Sequence, residues 1–231
     1  MRYPENMKPF AIAIATALGF MLDTAPIANA QNTFQCNGLD ISDGRTINGD
    51  LIVPAGAGCT LRSVTVLGNV RVAKRATLLV EADTKPVTIG GNIVTNQCNA
   101  VLLATIDGSI SVGGNVTIQK CRGDSGYVGP SVTIGGNFVC SDNASLCRAY
   151  GGVVQGNLIV HNNNSAQAPF VTSNTVSGNV DFSGNSGNFG TPEVAANTIG
   201  GNLLCFKNST PPVAGAPNTV AGNKLGQCAG L

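Results

Sequence analysis

The sequence predicts an all-β chain wound as a parallel β-helix, a solenoid of about nine rungs stapled by disulfides. Three observations predict it: a glycine-asparagine step that recurs along the chain, apolar columns that alternate with period two on both sides of that step, and an unusual composition. Only 11% of the 231 residues are charged and 5% aromatic, there is no Trp, and Gly occurs 30 times. Such a chain must build its core from many small β-branched side chains stacked regularly.

The repeat is found by aligning the glycine that precedes Asn, or Asp50 in the first copy. It falls at Gly49, Gly68, Gly91, Gly114, Gly136, Gly156, Gly178, Gly201 and Gly222, at intervals of 19 to 23 residues. That period marks a solenoid and is too short for repeats built of helical pairs. Two residues before each glycine stands Ile or Val, from Ile47 and Val66 to Ile199 and Val220. Two after it come Leu51, Val70, Ile93, Val116, Phe138, Leu158, Val180 and Leu203, and four after it a third mainly apolar column runs from Val53 to Cys205. Each copy therefore supplies strand, turn, strand, with one side buried. Stacking the copies in register turns the columns into continuous ladders and satisfies the backbone by bonding to the rungs on either side. The twist of β-crossovers favours a right-handed winding, and the period is not the strict multiple of six of left-handed hexapeptide helices.

The glycines are expected to serve a corner that needs positive φ, and the asparagines to bond to one another up the stack. The Asn column, Asn69 through Asn223, thus reads as structural. The last copy puts Lys224 and Gly226 into apolar columns, as a polar terminal cap would.

The first 30 residues read as an export signal. A Lys precedes the apolar run in "MKPFAIAIATALGFML", and the small residues Ala28 and Ala30 precede Gln31. Residues 31–231 are then a single solenoid domain with no further span-length apolar run, destined for the extracellular space, the periplasm or the cell surface. The formal net charge of +1 gives no footing for nucleic acid or an anionic membrane.

Eight cysteines in an exported chain imply disulfides, and the repeat narrows their pairing. Cys36 and Cys59, Cys98 and Cys121, and Cys205 and Cys228 are each one rung apart, while Cys140 and Cys147 are left to staple a local excursion. Zinc is disfavoured: there is no CxxC, and His161 is the one histidine. No cofactor is expected.

Parallel β-helices often cleave acidic polysaccharides, which takes paired carboxylates or a calcium-binding acidic cluster with a base. The best candidate is "VEADTK", where Glu81 and Asp83 share a strand face, Asp107 falls at a similar offset one rung on, and Lys85 is adjacent. A solvated, chemically inert face is the preferred reading of it. Arg62, Arg71, Lys74 and Arg75 lie close in sequence and could meet an anionic glycan, though scattered surface charge explains them as well. His161 reads as a loop histidine without an acid partner. A column of Thr and Ser from Thr46 to Thr219 lacks the second threonine row that an ice-binding face would need, and strand propensity accounts for it.

At "TINGDLIVPAGAGCTL", "TVLGNVRV", the recurrent "GGN" and the ending "NTVAGNKLGQC", the chain resembles exported bacterial β-solenoid proteins of mostly unassigned function. The "GDLIV" and "GNV" rungs are more distantly similar in style to bactofilins, which polymerise but lack signals and disulfides. Neither resemblance implies a catalytic residue. The expected function is that of a non-enzymatic surface or extracellular structural or adhesion protein displaying its excursions, 161–174 and 183–197, to a cell-surface glycan or another protein. The alternative is a carbohydrate-active β-helix, a lyase, hydrolase or glycan-binding descendant.

Overall fold

A computed structural model describes residues 32–42, 44–123 and 126–231. The expected export signal lies outside the described residues. The described chain is a parallel β-solenoid with three strands per turn and, among these residues, no α-helix. Ten strands form the first sheet: Thr33–Gln35, Asp50–Val53, Val70–Val72, Ile93–Thr95, Val116–Gln119, Phe138–Ser141, Leu158–His161, Val180–Ser183, Leu203–Cys205 and Lys224–Gly226. The second sheet holds eight, from Leu39–Ile41 through Gly58–Arg62, Thr77–Ala82, Ala100–Thr105, Gly126–Val128, Cys147–Tyr150 and Phe170–Thr172 to Glu193–Ala195. The third holds nine short strands, from Thr46–Ile47 to Thr219–Val220.

Eight turns are complete. In the ninth, the second-sheet strand is reduced to a single bridge between Val213 and Glu193, so the count of nine rungs holds only with this partial turn. The glycine-asparagine step joins the third sheet to the first, and the Ile/Val and Leu/Val columns on its two sides point inward, as expected. The second sheet is the element that the repeat columns did not reveal.

Packing follows from the register. Leu51, Val70, Ile93, Val116, Phe138, Leu158, Val180 and Leu203 stack along the first sheet, and Leu61, Val80, Leu103, Val128, Ala149, Val171 and Val194 along the second. All of these are essentially inaccessible to solvent. Phe138, one of the two buried phenylalanines, lies in the turn whose second-sheet strand puts Ala149, the smallest residue of its inward column, into the core. A small residue opposite a large one keeps the cross-section filled from turn to turn.

The expected reason for the glycines is corrected. Of the nine aligned glycines only Gly49 has positive φ. At Gly136 an added Cβ would lie 2.5 Å from Asn115 Oδ1 and 3.0 Å from the Gly114 carbonyl carbon, and Gly91, Gly114, Gly156 and Gly201 are as crowded. The glycine makes room for the asparagine stack. Left-handed backbone occurs instead at the other two corners: between the first and second sheets at Arg75, Gln97, Lys120, Asp142, Asn162 and Lys207, and between the second and third at Ser63, Ser131, Ser173 and Ala196.

All three corners carry amide ladders. In the expected one, the backbone N–H and Nδ2 of Asn69 donate to Asp50 Oδ1 at 2.8 and 3.1 Å, and the same pair of bonds repeats from Asn92 to Asn69 and on to Asn202. Asn223 closes it with a backbone bond. Two further ladders are buried. Between the first and second sheets run Asn143, Asn163, Asn185 and Asn208, ending on Gln227 Oε1. Between the second and third run Asn174, Asn197 and Asn218.

All four disulfides have the expected pairing, with Cα–Cα distances from 4.4 to 6.3 Å. They gather at the passage from the first sheet to the second. Cys98–Cys121 joins equivalent corner positions of consecutive turns, and Cys140–Cys147 closes the corner within one turn. Lys224, the apolar-column exception, donates from Nζ to the Leu231 carbonyl.

Candidate functional site

Side chains that point out of the second sheet form two rows along the solenoid. The register aligns Thr60, Leu79, Leu102, Tyr127, Arg148, Phe170 and Glu193 in one outward row. A second row begins Arg62, Glu81, Ala104 and resumes at Tyr150, Thr172 and Ala195.

The acidic patch expected from sequence lies at the N-terminal part of this surface, but with an arginine at its centre. Arg62 approaches Glu81 at 2.5 Å, Asp40 at 3.4 Å and Asp83 at 3.9 Å. Asp107 is exposed at the next corner and joins none of these ion pairs. Glu81 and Asp83 are thus held by a permanent cation rather than presented as free carboxylates. Among the described residues no group of three His, Cys, Asp or Glu side chains is placed to hold a metal ion.

The basic residues do not form the single patch their sequence proximity suggested. Arg62 belongs to the second sheet, Arg71 lies on the first beside Asp50 at 3.5 Å, and Lys74 and Arg75 occupy the corner between the two sheets. Local proximity along a solenoid spreads over separate faces, because the chain turns every few residues. His161 is a strand residue rather than a loop residue, in register between Ser141 and Ser183. Ser183 Oγ donates to Asp181 at 2.5 Å, so its proton is not directed at the imidazole as a nucleophile relay requires. The Thr column stands in register along the outside of the third sheet, with Val153 filling its one gap.

Further along the second sheet lies a constellation that sequence reasoning missed. Tyr127, Arg148, Tyr150, Phe170, Thr172 and Glu193 line an open cleft of about 420 Å³. The Arg148 guanidinium lies 4.9 Å from the Phe170 ring centroid, within cation–π range. One of its N–H groups donates to Gln167 Oε1 at 2.6 Å. Gln167 ends Asn164–Gln167, which pairs with Ser186–Phe189 as a separate two-stranded sheet. The excursions expected to be variable loops are thus ordered, and the first of them braces the arginine.

Tyr127 is placed by a missing side chain. A Cβ at Gly129 would lie 3.0 Å from Tyr127 Cε1 and 3.2 Å from its hydroxyl, so the ring lies across the glycine. Tyr150 leaves 45% of its surface exposed. The usable signal was in the sequence: Tyr127, Arg148, Phe170 and Glu193 are successively one repeat apart, like the partners of the three disulfides that join consecutive turns.

The chain matches no known family pattern, no curated protein sequence and no solved structure. Among the described residues no helix is long and apolar enough to cross a membrane.

Proposed function

We propose that the protein is an exported, non-enzymatic β-solenoid of the surface or extracellular space, acting by adhesion. Its stacked core holds a rigid array of outward side chains and excursions against a partner. One observation carries this proposal: inward positions are mainly Val, Ile and Leu turn after turn, whereas from Leu102 onward the outward row of the second sheet changes character at each turn, to Tyr127, Arg148, Phe170 and Glu193. Uniform interior with diverse exterior is how repeat scaffolds separate folding from recognition. The four disulfides are compatible with an oxidising compartment outside the cytosol.

The test is to incubate the oxidised protein with intact cells and with soluble and insoluble polysaccharides, measuring its depletion and any release of reducing or unsaturated ends. Depletion without new ends is expected. Released ends that disappear on alanine substitution of Glu81, Asp83 and Asp107 would replace adhesion with the carbohydrate-active alternative. Failure to deplete on every surface would remove adhesion.

A further inference from the structure

We infer that the cleft formed by Tyr127, Arg148, Tyr150, Phe170 and Glu193 is a glycan-binding site for a neutral, hydroxyl-rich sugar whose pyranose ring lies against the aromatic faces. This rests on the adhesion function above and names the chemistry of its partner.

The cleft runs from the body of the second sheet to its last strand, Glu193–Ala195, whose backbone is bonded to the ninth turn by Val194 N–H to the Val213 carbonyl and Ala196 N–H to the Ala216 carbonyl. The strands Cys147–Tyr150 and Phe170–Thr172 are each paired on both sides, so no backbone groups remain for a peptide to add as a strand. Recognition must come from side-chain faces and tips. Tyr127 and Tyr150 come from one turn and the next, and Phe170 from the turn after, placing three rings within two rung spacings of roughly 4.8 Å each. An aromatic ring offers an apolar face ringed, for tyrosine, by a polar tip. The matching ligand is equally two-sided, with C–H groups on its face and hydroxyls at its rim, which describes a pyranose.

The charges choose among stacking ligands. Arg148 and Glu193 put one cation and one anion around the rings, so the cleft is neutral. A nucleic acid would also stack, but it needs a cationic groove along its phosphates, and a polyuronate would meet Glu193 as a like charge. Hydroxyls, in contrast, accept from a guanidinium and donate to a carboxylate. The bond from Arg148 to Gln167 and its packing on Phe170 fix the guanidinium plane before any ligand arrives, which limits the ordering cost of binding.

The chain has no Trp and three tyrosines, of which Tyr127 and Tyr150 are in this cleft and Tyr3 lies in the expected signal. Intrinsic tyrosine fluorescence therefore reports on the site directly. The oxidised protein is titrated with cellohexaose, mannohexaose and, as the charged contrast, hexagalacturonate. A saturable change with at least one neutral hexasaccharide is expected, little affected by salt and weakened roughly tenfold by Tyr150→Ala or Arg148→Ala. Tyr150→Phe, which keeps the ring, should retain binding, with circular dichroism confirming that each variant folds. The inference is overturned by silence with both neutral sugars, by binding to hexagalacturonate alone, or by unchanged affinity in folded Tyr150→Ala and Arg148→Ala. Depletion on cells or polymers that survives those substitutions would leave adhesion standing and move its site elsewhere.

Discussion

The asparagine ladder between the third and first sheets and the one between the first and second use the same bonds in different surroundings. The former is half-exposed and runs the length of the solenoid from Asp50 to Asn223; the latter is buried and begins only at Asn143. Their polarity is opposite. In the half-exposed ladder each Oδ1 accepts from the following turn, as Asn115 accepts from Asn137; in the buried one it accepts from the preceding turn, as Asn163 accepts from Asn143. The buried asparagines also donate Nδ2 to inward-facing carbonyls of Ile118, Cys140, Val160 and Phe182. At these corners the amide satisfies a core that water cannot reach, whereas at the glycine-asparagine corner it competes with solvent.

The largest expected effect sharpens that contrast. Asn163→Ala would strip acceptors from the Asn143 backbone and side-chain N–H groups and a donor from the Cys140 carbonyl. With more than one buried group orphaned, the loss should be about 4 kcal/mol. Asn137→Ala, in the half-exposed ladder, should cost about 1 kcal/mol because water replaces the lost partner. Urea unfolding of both variants would break the comparison if the two losses were equal.

Toward the N-terminus the corner between the first and second sheets is closed differently, with Cys98–Cys121 in the turns just before Asn143. The Cys121 N–H donates to Asn143 Oδ1 at 2.9 Å, so disulfide and ladder form one continuous column. Replacing Cys98 and Cys121 by Ser together should lower stability by about 3 kcal/mol, from loop-closure entropy. The cut should leave the half-exposed ladder intact, which amide hydrogen exchange at Asn92 and Asn115 would check.

What could be read from the sequence was what recurs at a fixed offset. The glycine-asparagine step announced one corner because that ladder needs the same two residues in every turn. Asn143, Asn163, Asn185 and Asn208 were hidden because the corner before them holds cysteines and the segments around them vary in length. The second sheet was obscured for the same reason, since its strands range from three to six residues and follow passages of unequal length. The aromatic cleft emerges only when residues one repeat apart are compared on the outward side of the second sheet, where neither row keeps one residue type along its length. Glu81 and Asp83 do come together, but Asp83 lies just past the end of the strand at Ala82, and Arg62 at their centre came from the preceding turn.

A smaller effect is expected where the sequence signal was strongest and its cause misread. Gly136→Ala should cost about 2 kcal/mol because its Cβ would push against Asn115 Oδ1 and the neighbouring backbone. If the glycine served positive φ, removing the asparagine side chain would not help. If it serves space, pairing Gly136→Ala with Asn115→Ala should show a favourable coupling, since the second substitution removes the atom nearest the new methyl.

The smallest effect concerns the end of the half-exposed ladder. Because its amides donate toward the N-terminus, the first member needs to accept and not to donate, and Asp50 does so with a side chain only 9% exposed. The Asn69 backbone N–H, more than its side chain or Arg71, holds the Asp50 pKa below its ordinary value of 3.8, against the opposing pull of burial. A folded pKa below the unfolded one means that the carboxylate's contribution is complete above pH 3.8 and is lost as the pH falls through the folded value. Asp50→Asn keeps an acceptor for Asn69 but gives up the charge on that bond and the ion pair with the largely exposed Arg71, while relieving the burial of a charge. At pH 7 the change should stay within about 0.5 kcal/mol. Thermal unfolding followed from pH 7 down to about 2 should then fall less steeply below 3.8 in the variant. An unchanged acid limb would mean that the charge of Asp50 is incidental and that the ladder ends equally well on any acceptor.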